Sequence, residues 1–356
     1  MKAQLEGRAH LINLLDLKDS RNTILHLACE HHHPTLVTWL LQQQPTLMVN
    51  VTNQEGKSAF FVACENGFTE VVKAMLLAIP STQPLLDVNA GSKHHSPLMI
   101  ACKGGHIGVV KEILERAGDK VDVNRVRSGS VLTNACDSGN MEILEMLLSH
   151  PKIDVNQKID KGSTLTHHVS HHNQLPQLRR LLQIATLNLN QQTVLGMTPL
   201  MTGCQQGSSY IASELMKFKN VNPNLCDSRK RTVLWFAAKK RNMSLFLSIL
   251  CTPNWVVDTA TKPEDEEYPK EYTSYLKEYA KNPTKFQEKY GGGSHSGKLL
   301  SAIPALNFFF FLFLSAHVML FFFFSSYSSS PPSFLSFFFP TFSTSQTRRK
   351  MMLTPL

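Results

Sequence analysis

Histidine and cysteine carry most of the reactive chemistry in this 356-residue chain, with 15 and 7 copies. His31, His32 and His33 are consecutive, His94 and His95 are adjacent, and His167 and His168 stand close to His171 and His172. His168 and His172 are four apart, a spacing that puts two imidazoles on one helical face, as a zinc site requires. No Glu lies between them in the manner of a zinc protease, and a helix boundary is expected there, so the cluster reads as structural. The cysteines are odd in number and contain no CxxC pair, which argues against a disulfide framework and a thiolate zinc site. Gly292 to Lys298, GGSHSGK, matches most of a phosphate-binding loop, but Leu299 stands where a Ser or Thr must hold magnesium. The preceding KNPTKFQEKY is charged and no βα context follows, so this stretch reads as a linker. No Ser-His-Asp, Cys-His or paired-carboxylate constellation stands out. The expectation is a chain that is not an enzyme and holds neither cofactor nor metal.

The remaining chemistry is charge. Net charge is +9, and Lys93, Arg125, Arg127, Lys158, Lys161, Arg229, Lys230 and Arg231 fall in turn-like segments offset only by Asp160 and Asp227. Whether they form one surface depends on the elements that carry them, and those elements repeat. Small residues anchor short apolar blocks at Ala28, Ala63, Ala101, Ala135, His168, Gly203 and Ala237, at intervals of 33 to 38 residues. Five residues before each stands a hydroxyl: Thr23, Ser58, Ser96, Ser130, Ser163, Thr198 and Thr232. A hydroxyl there can cap a helix by accepting an orphan N–H. Pro97 and Pro199 follow two of them, where a missing donor costs nothing.

Four residues after the anchor Gly67, Gly105, Gly139 and Gly207 recur, suited to a left-handed C-cap between two helices. An apolar pair twelve and thirteen residues after the anchor marks the buried face of a second helix, as in Leu40/Leu41 and Leu147/Leu148. In the fifth copy that pair, Leu181/Leu182, is displaced by one. Val49-Asn50, Val88-Asn89, Val123-Asn124, Val155-Asn156, Leu189-Asn190 and Val221-Asn222 then lead into turns.

With TILHLA, SPLMIA and TPLMTG as its copies, the chain resembles the ankyrin-repeat family, whose block reads T-P-L-H-x-A. The resemblance covers about residues 17 to 258 and implies an all-α solenoid of about seven helix-turn-helix repeats with β-turn fingers. Only His26 occupies the family's His position, and the fifth copy, with His168 and His172 in place of a small residue and a Gly, is the weakest. Residues 1–16 are expected to be a truncated N-terminal cap helix. Cys29, Cys64, Cys102, Cys136 and Cys204 each follow an anchor by one residue, so they are one small buried helix position repeated.

The array implies a protein-binding scaffold or adaptor: a groove plus a basic edge of fingers formed by the eight cations, selecting an acidic or phosphorylated protein partner. Aromatic residues do not interleave with these charges, which argues against nucleic acid. The chain is expected to be a cytoplasmic monomer. Alternatives are a membrane-tethered scaffold with its repeats in the cytosol, and the regulatory half of a truncated enzyme.

Residues 259–298 are charged and Tyr-rich, with Tyr272, Tyr275, Leu276 and Tyr279 on one helical face, which predicts a helical linker or C-terminal cap. Residues 299–324 are apolar and Phe-rich. At ~1.5 Å per residue, the run from Phe308 to Phe324 reaches roughly 25 Å, against a bilayer core of about 30 Å. Two readings stand side by side, a transmembrane helix and translated non-coding sequence. Of the 35 residues from Phe308 to Phe342, 29 are Phe, Leu, Ser or Pro, all encodable by pyrimidine-only codons. Residues 325–356 are expected to be a Ser/Phe/Pro-rich disordered tail.

Overall fold

In the computed structural model, residues 21–42, 47–77, 86–253, 255–259 and 268–291 are described. The expected N-terminal cap, the GGSHSGK stretch, the Phe-rich segment and the tail lie outside them. The described residues form sixteen α-helices and no strand. Fourteen pair into seven antiparallel hairpins: α1 (Ile24–Glu30) with α2 (Pro34–Leu41), α3 (Ala59–Glu65) with α4 (Thr69–Leu77), and α5 (Pro97–Lys103) with α6 (Ile107–Ala117). Then come α7 (Val131–Ser138) with α8 (Met141–Leu148), α9 (Leu165–His171) with α10 (Leu175–Leu181), α11 (Pro199–Gln206) with α12 (Ser209–Met216), and α13 (Val233–Lys239) with α14 (Met243–Leu250). No helix among the described residues is long and apolar enough to cross a membrane.

Six of the seven inner helices begin at the expected hydroxyl. Thr23, Ser58, Ser96, Ser130 and Thr198 accept the N–H three residues on, at 3.1–3.3 Å, with their backbone extended at the cap. The helices are too short to be stable alone, so their persistence depends on burial between neighbours. Anchors Ala28, Ala63, Ala101, Ala135 and Ala237 are all buried, because the inner helices stack where only a small side chain fits.

The fifth copy corrects the sequence reading. Its cap is Thr164, not Ser163, and its anchor is the buried Val169, not His168. Two adjacent hydroxyls and two adjacent histidines made either phase acceptable by residue type. With the shift, Leu181/Leu182 fall into phase with the other apolar pairs, and the spacing becomes 34 residues on both sides. His167, not only His26, now occupies the His position. In both, the backbone N–H of the capping Thr donates to Nδ1, at 3.2 Å from Thr23 and 3.1 Å from Thr164. Nε2 in turn meets a carbonyl of the next finger, Lys57 at 3.0 Å and Met197 at 2.9 Å. An Nδ1 that accepts and an Nε2 that donates define a neutral imidazole.

The residue four after the anchor has positive φ in every repeat. Gly takes it at 71–75° in four copies, and His32, Asn173 and Arg241 adopt 54–56° in the other three. Asn173, not His172, is therefore the fifth copy's hinge residue.

Successive repeats are stapled by asparagine side chains. Asn89, Asn124, Asn156, Asn190 and Asn224 each donate Nδ2 to a carbonyl of the next repeat, at 2.5–2.8 Å. Each Oδ1 accepts an N–H two residues beyond that carbonyl. The last rung is Asn224, not Asn222, since Pro223 replaces the usual Val or Leu of the pair. The fingers are β-turns closed by bonds such as Ile159 N–H to Ser163 O and Thr193 N–H to Met197 O. Neighbouring fingers join through Ser128 N–H to His94 O, Val194 N–H to Lys161 O and Ser228 N–H to Leu195 O, and the Gln157 side chain donates to Asn124 O between the first pair and the rest.

Beyond α14, α15 (Lys270–Lys281) and α16 (Pro283–Gly291) form a further hairpin. Tyr272, Leu276, Tyr279 and Phe286 are buried in it, and Tyr272 meets Phe246 of α14 edge-on at 4.8 Å. Tyr275, on the same face by sequence, is only half-buried, against Tyr290.

All seven cysteines are unpaired, and the five repeat cysteines are buried. Burial pushes their thiols up, Cys136 to about 12. A thiolate is the reactive form, so these five are inert in the folded chain. Titration with a chromogenic disulfide should therefore label at most Cys226 and Cys251 natively and all seven cysteines in denaturant. More than two fast-reacting thiols would contradict the packing of the inner helices.

Candidate partner-binding groove

Side chains two residues after each anchor lie on the accessible face of the inner helices: Glu30, Glu65, Lys103, Asp137, His171, Gln205 and Lys239. Their types vary freely while the anchors do not, as expected where helices stack and one face meets a partner. Between this face and the fingers a pocket of about 580 Å³ opens over α7, α9 and α11. Asp137, His168, His171 and His172 form its helical wall, and Asp160, Lys161 and Leu195 its finger wall. His168 Nε2 lies 2.6 Å from Asp137 Oδ1, and Gln174 Nε2 donates to the same oxygen at 3.3 Å. The His172 ring packs on His168 at 4.5 Å and on His171 at 4.8 Å. Among the described residues no three His, Cys, Asp or Glu side chains converge as metal ligands would.

The eight cations read from sequence occupy the finger edge in two different ways. Lys93, Lys158, Lys161, Arg229 and Lys230 are exposed at the turns, with Lys161 and Lys230 at positive φ. Arg125, Arg127 and Arg231 bind the chain's own backbone or side chains. Arg125 Nη1 donates to Asn89 O at 3.3 Å, and Arg127 Nη1 to Ser92 O at 2.9 Å, crossing to the preceding finger. Burial holds the Arg127 guanidinium below its ordinary value, with Arg125 adding to it.

Arg231 pairs with the buried Asp227 through Nε at 2.8 Å and Nη2 at 2.7 Å, and its guanidinium lies over Trp235 at 4.7 Å. Asp227 also accepts the N–H groups of Arg229 and Arg231, which fixes the turn. The triplet Arg229-Lys230-Arg231 is thus split: the first two side chains are exposed and the third folds back on the repeat. Asp137 escaped the sequence reading. Its signal is positional, since it stands two after the anchor on the exposed face.

A family model described as ankyrin repeats in three copies matches residues 1–83 and 78–159. Among curated proteins, the chain is 30% identical over 138 residues to the tyrosine-protein kinase HTK16 of Hydra vulgaris, covering 38% of this chain and 18% of that one. It is 29% identical over 164 residues to the B-cell lymphoma 3 protein homolog of Mus musculus, covering 46% of this chain and 36% of the relative. The chain thus spans about a third or less of the length of these relatives. Among solved structures, the ankyrin repeat domain of Bcl-3 superposes with a TM-score of 0.55 at 20% identity, over 63% of this chain and 97% of that domain. The human ASB11 ankyrin repeat domain gives 0.50 at 21% identity, over 62% and 93%. Seven stacked hairpins, the finger edge and these matches agree: the chain is an ankyrin-repeat protein, and its repeat array is a protein–protein interaction domain.

Proposed function

We propose that the chain is a non-catalytic adaptor, working as a cytoplasmic monomer, whose groove and basic finger edge hold an acidic or phosphorylated segment of a partner protein. The observation that carries this reading is the exposure of Lys93, Lys158, Lys161, Arg229 and Lys230 along one hydrogen-bonded row of turns. Such a row raises association rates with an acidic segment, and it is carried by turns whose side chains can vary without disturbing the helical core.

The test uses the double variant Arg229→Ala/Lys230→Ala, leaving Arg231 in place because it is packed on Trp235 and paired with Asp227. Affinity for a rhodamine-labelled oligoglutamate peptide, measured by anisotropy at low salt, is expected to fall roughly tenfold, with the melting temperature nearly unchanged. Two exposed charge contacts of ~0.7 kcal/mol each give that factor. Equal affinity for wild type and variant would refute the finger edge as the contact. A phosphoserine peptide of the same length tells a general preference for negative charge from a phosphate-specific one.

A further inference from the structure

The pocket over α9 differs in kind from the finger edge. Its ionisable lining is Asp137 from α7, His167, His168 and His171 from α9, His172 directly after α9, and Asp160 and Lys161 from the finger before α9. The Ser128–Gly129 turn, α11 and the finger at Thr193–Met197 contribute Ser, Gly, Thr, Leu and Met to the wall, none of them ionisable at neutral pH. Arg179 and Arg180 of α10 are held elsewhere by Glu214 and Glu145. His167 is buried and locked between Thr164 and Met197. Asp137 is occupied by His168 and Gln174. His171 and His172 are exposed and share the pocket lining with Lys161.

With its imidazoles neutral this lining carries one net negative charge, from Asp137 and Asp160 against Lys161. With His168, His171 and His172 protonated it carries two net positive charges. Imidazole is the side chain whose ordinary charge change falls between about pH 5 and 8, so the sign of this lining depends on whether its histidines hold a proton.

We propose that the pocket is a proton-gated site for a carboxylate side chain of an acidic peptide, with His171 and His172 as the gating groups. The exposed Leu195 in its lining supports the aliphatic stem of a bound Glu, while the protonated imidazoles receive the carboxylate. This deepens the acidic-partner reading and rests on it for the class of ligand. The sign follows from linkage: an anion that binds the protonated form better binds more tightly as pH falls. Peptide carboxylates, with an ordinary value near ~4.3 for Glu, stay ionised at pH ~6, so the ligand itself does not switch.

Anisotropy of the rhodamine-labelled oligoglutamate peptide at pH ~6 and ~8, in constant low salt, is expected to show roughly tenfold tighter binding at the lower pH. The variant His171→Gln/His172→Gln should bind as wild type does at pH ~8 and lose most of the gain at pH ~6. The Arg229→Ala/Lys230→Ala variant should weaken at both values and keep the pH dependence. A flat wild-type profile, with the finger variant still weakened, overturns the gating and leaves the finger edge standing. A gain that persists in the histidine variant overturns the assignment to this pair.

Inorganic phosphate, followed by imidazole NMR resonances of the full chain, gives a second measurement. His171 and His172 signals should shift on addition at pH ~6 and not at pH ~8. That result, with unchanged peptide affinity in the finger variant, would uphold the pocket and remove the finger edge. Absence of both peptide binding and phosphate shifts would remove both.

Discussion

Truncating Tyr279 to alanine is expected to lower the unfolding free energy by about 3–5 kcal/mol, the range for deleting a large buried aromatic ring. Tyr279 is 1% exposed and meets Phe286 edge-on at 5.5 Å. Its hydroxyl accepts the Val257 N–H at 3.2 Å and donates to Trp255 O at 3.4 Å, so it joins α15 to the segment leaving the last repeat. Tyr279→Phe keeps the ring and is expected to cost about 1–2 kcal/mol for the two lost bonds. Because a repeat array is stabilised by nearest neighbours, the loss should be local. Amide exchange in Tyr279→Ala should therefore speed up first in α14, whose Phe246 and Leu250 lie buried, and leave α8 protected. Urea denaturation gives the free energy and hydrogen exchange gives the location. Unchanged protection of α14 would mean that α15 and α16 do not cap the array.

Most of the array was legible because each recurring residue answers a backbone demand that few residue types meet. A hydroxyl satisfies an orphan N–H at Thr23, Ser58 or Thr198, and glycine accepts positive φ at Gly67 or Gly207 without strain. Legibility failed where type stopped discriminating. Ser163 and Thr164 are both good caps, so the fifth copy could be read in either phase. Leu181/Leu182 carried the correct phase, since a pair buried under an amphipathic helix cannot slip without exposing itself. His32, Asn173 and Arg241 adopt positive φ without any glycine to announce it, held there by the helices on either side.

The basic edge was legible as composition but not as orientation. Whether an arginine is exposed or folds back depends on a partner outside its own motif, and Arg231 folds back because Asp227 is buried four residues earlier. Arg125 and Arg127 cross to carbonyls some 35 residues away, a relation that exists only once the turns are stacked. The pocket over α9 is likewise a product of stacking. Asp137 and His168 are 31 residues apart in sequence and 2.6 Å apart in space.

The shifted phase of the fifth repeat makes a sharp distinction between two adjacent histidines. His167→Ala is expected to destabilise the chain by about 3 kcal/mol, and His168→Ala by less than about 1 kcal/mol. His167 is buried, accepts the Thr164 N–H and meets Met197 O, so its removal loses two hydrogen bonds of about 1 kcal/mol each and leaves a small cavity. His168 is only partly buried, at 20% exposure, and its contact with Asp137 lies in the groove. Were Ser163 and His168 the true cap and anchor, the order would reverse.

Protonation gives an independent reading of the same geometry. Burial pushes the imidazoles of His26 and His167 below their ordinary value of 6.5, partly offset by their bonds to Lys57 and Met197. A base whose folded value is depressed binds its proton more readily in the unfolded chain. Its stabilising contribution is therefore whole above pH 6.5 and is lost as pH falls from there to the folded value. The stability of wild type should drop across that window, and His26→Gln/His167→Gln should start lower and show a shallower slope. Equal slopes in chemical denaturation at stepped pH values would show that these two rings do not set the acid limit of the array.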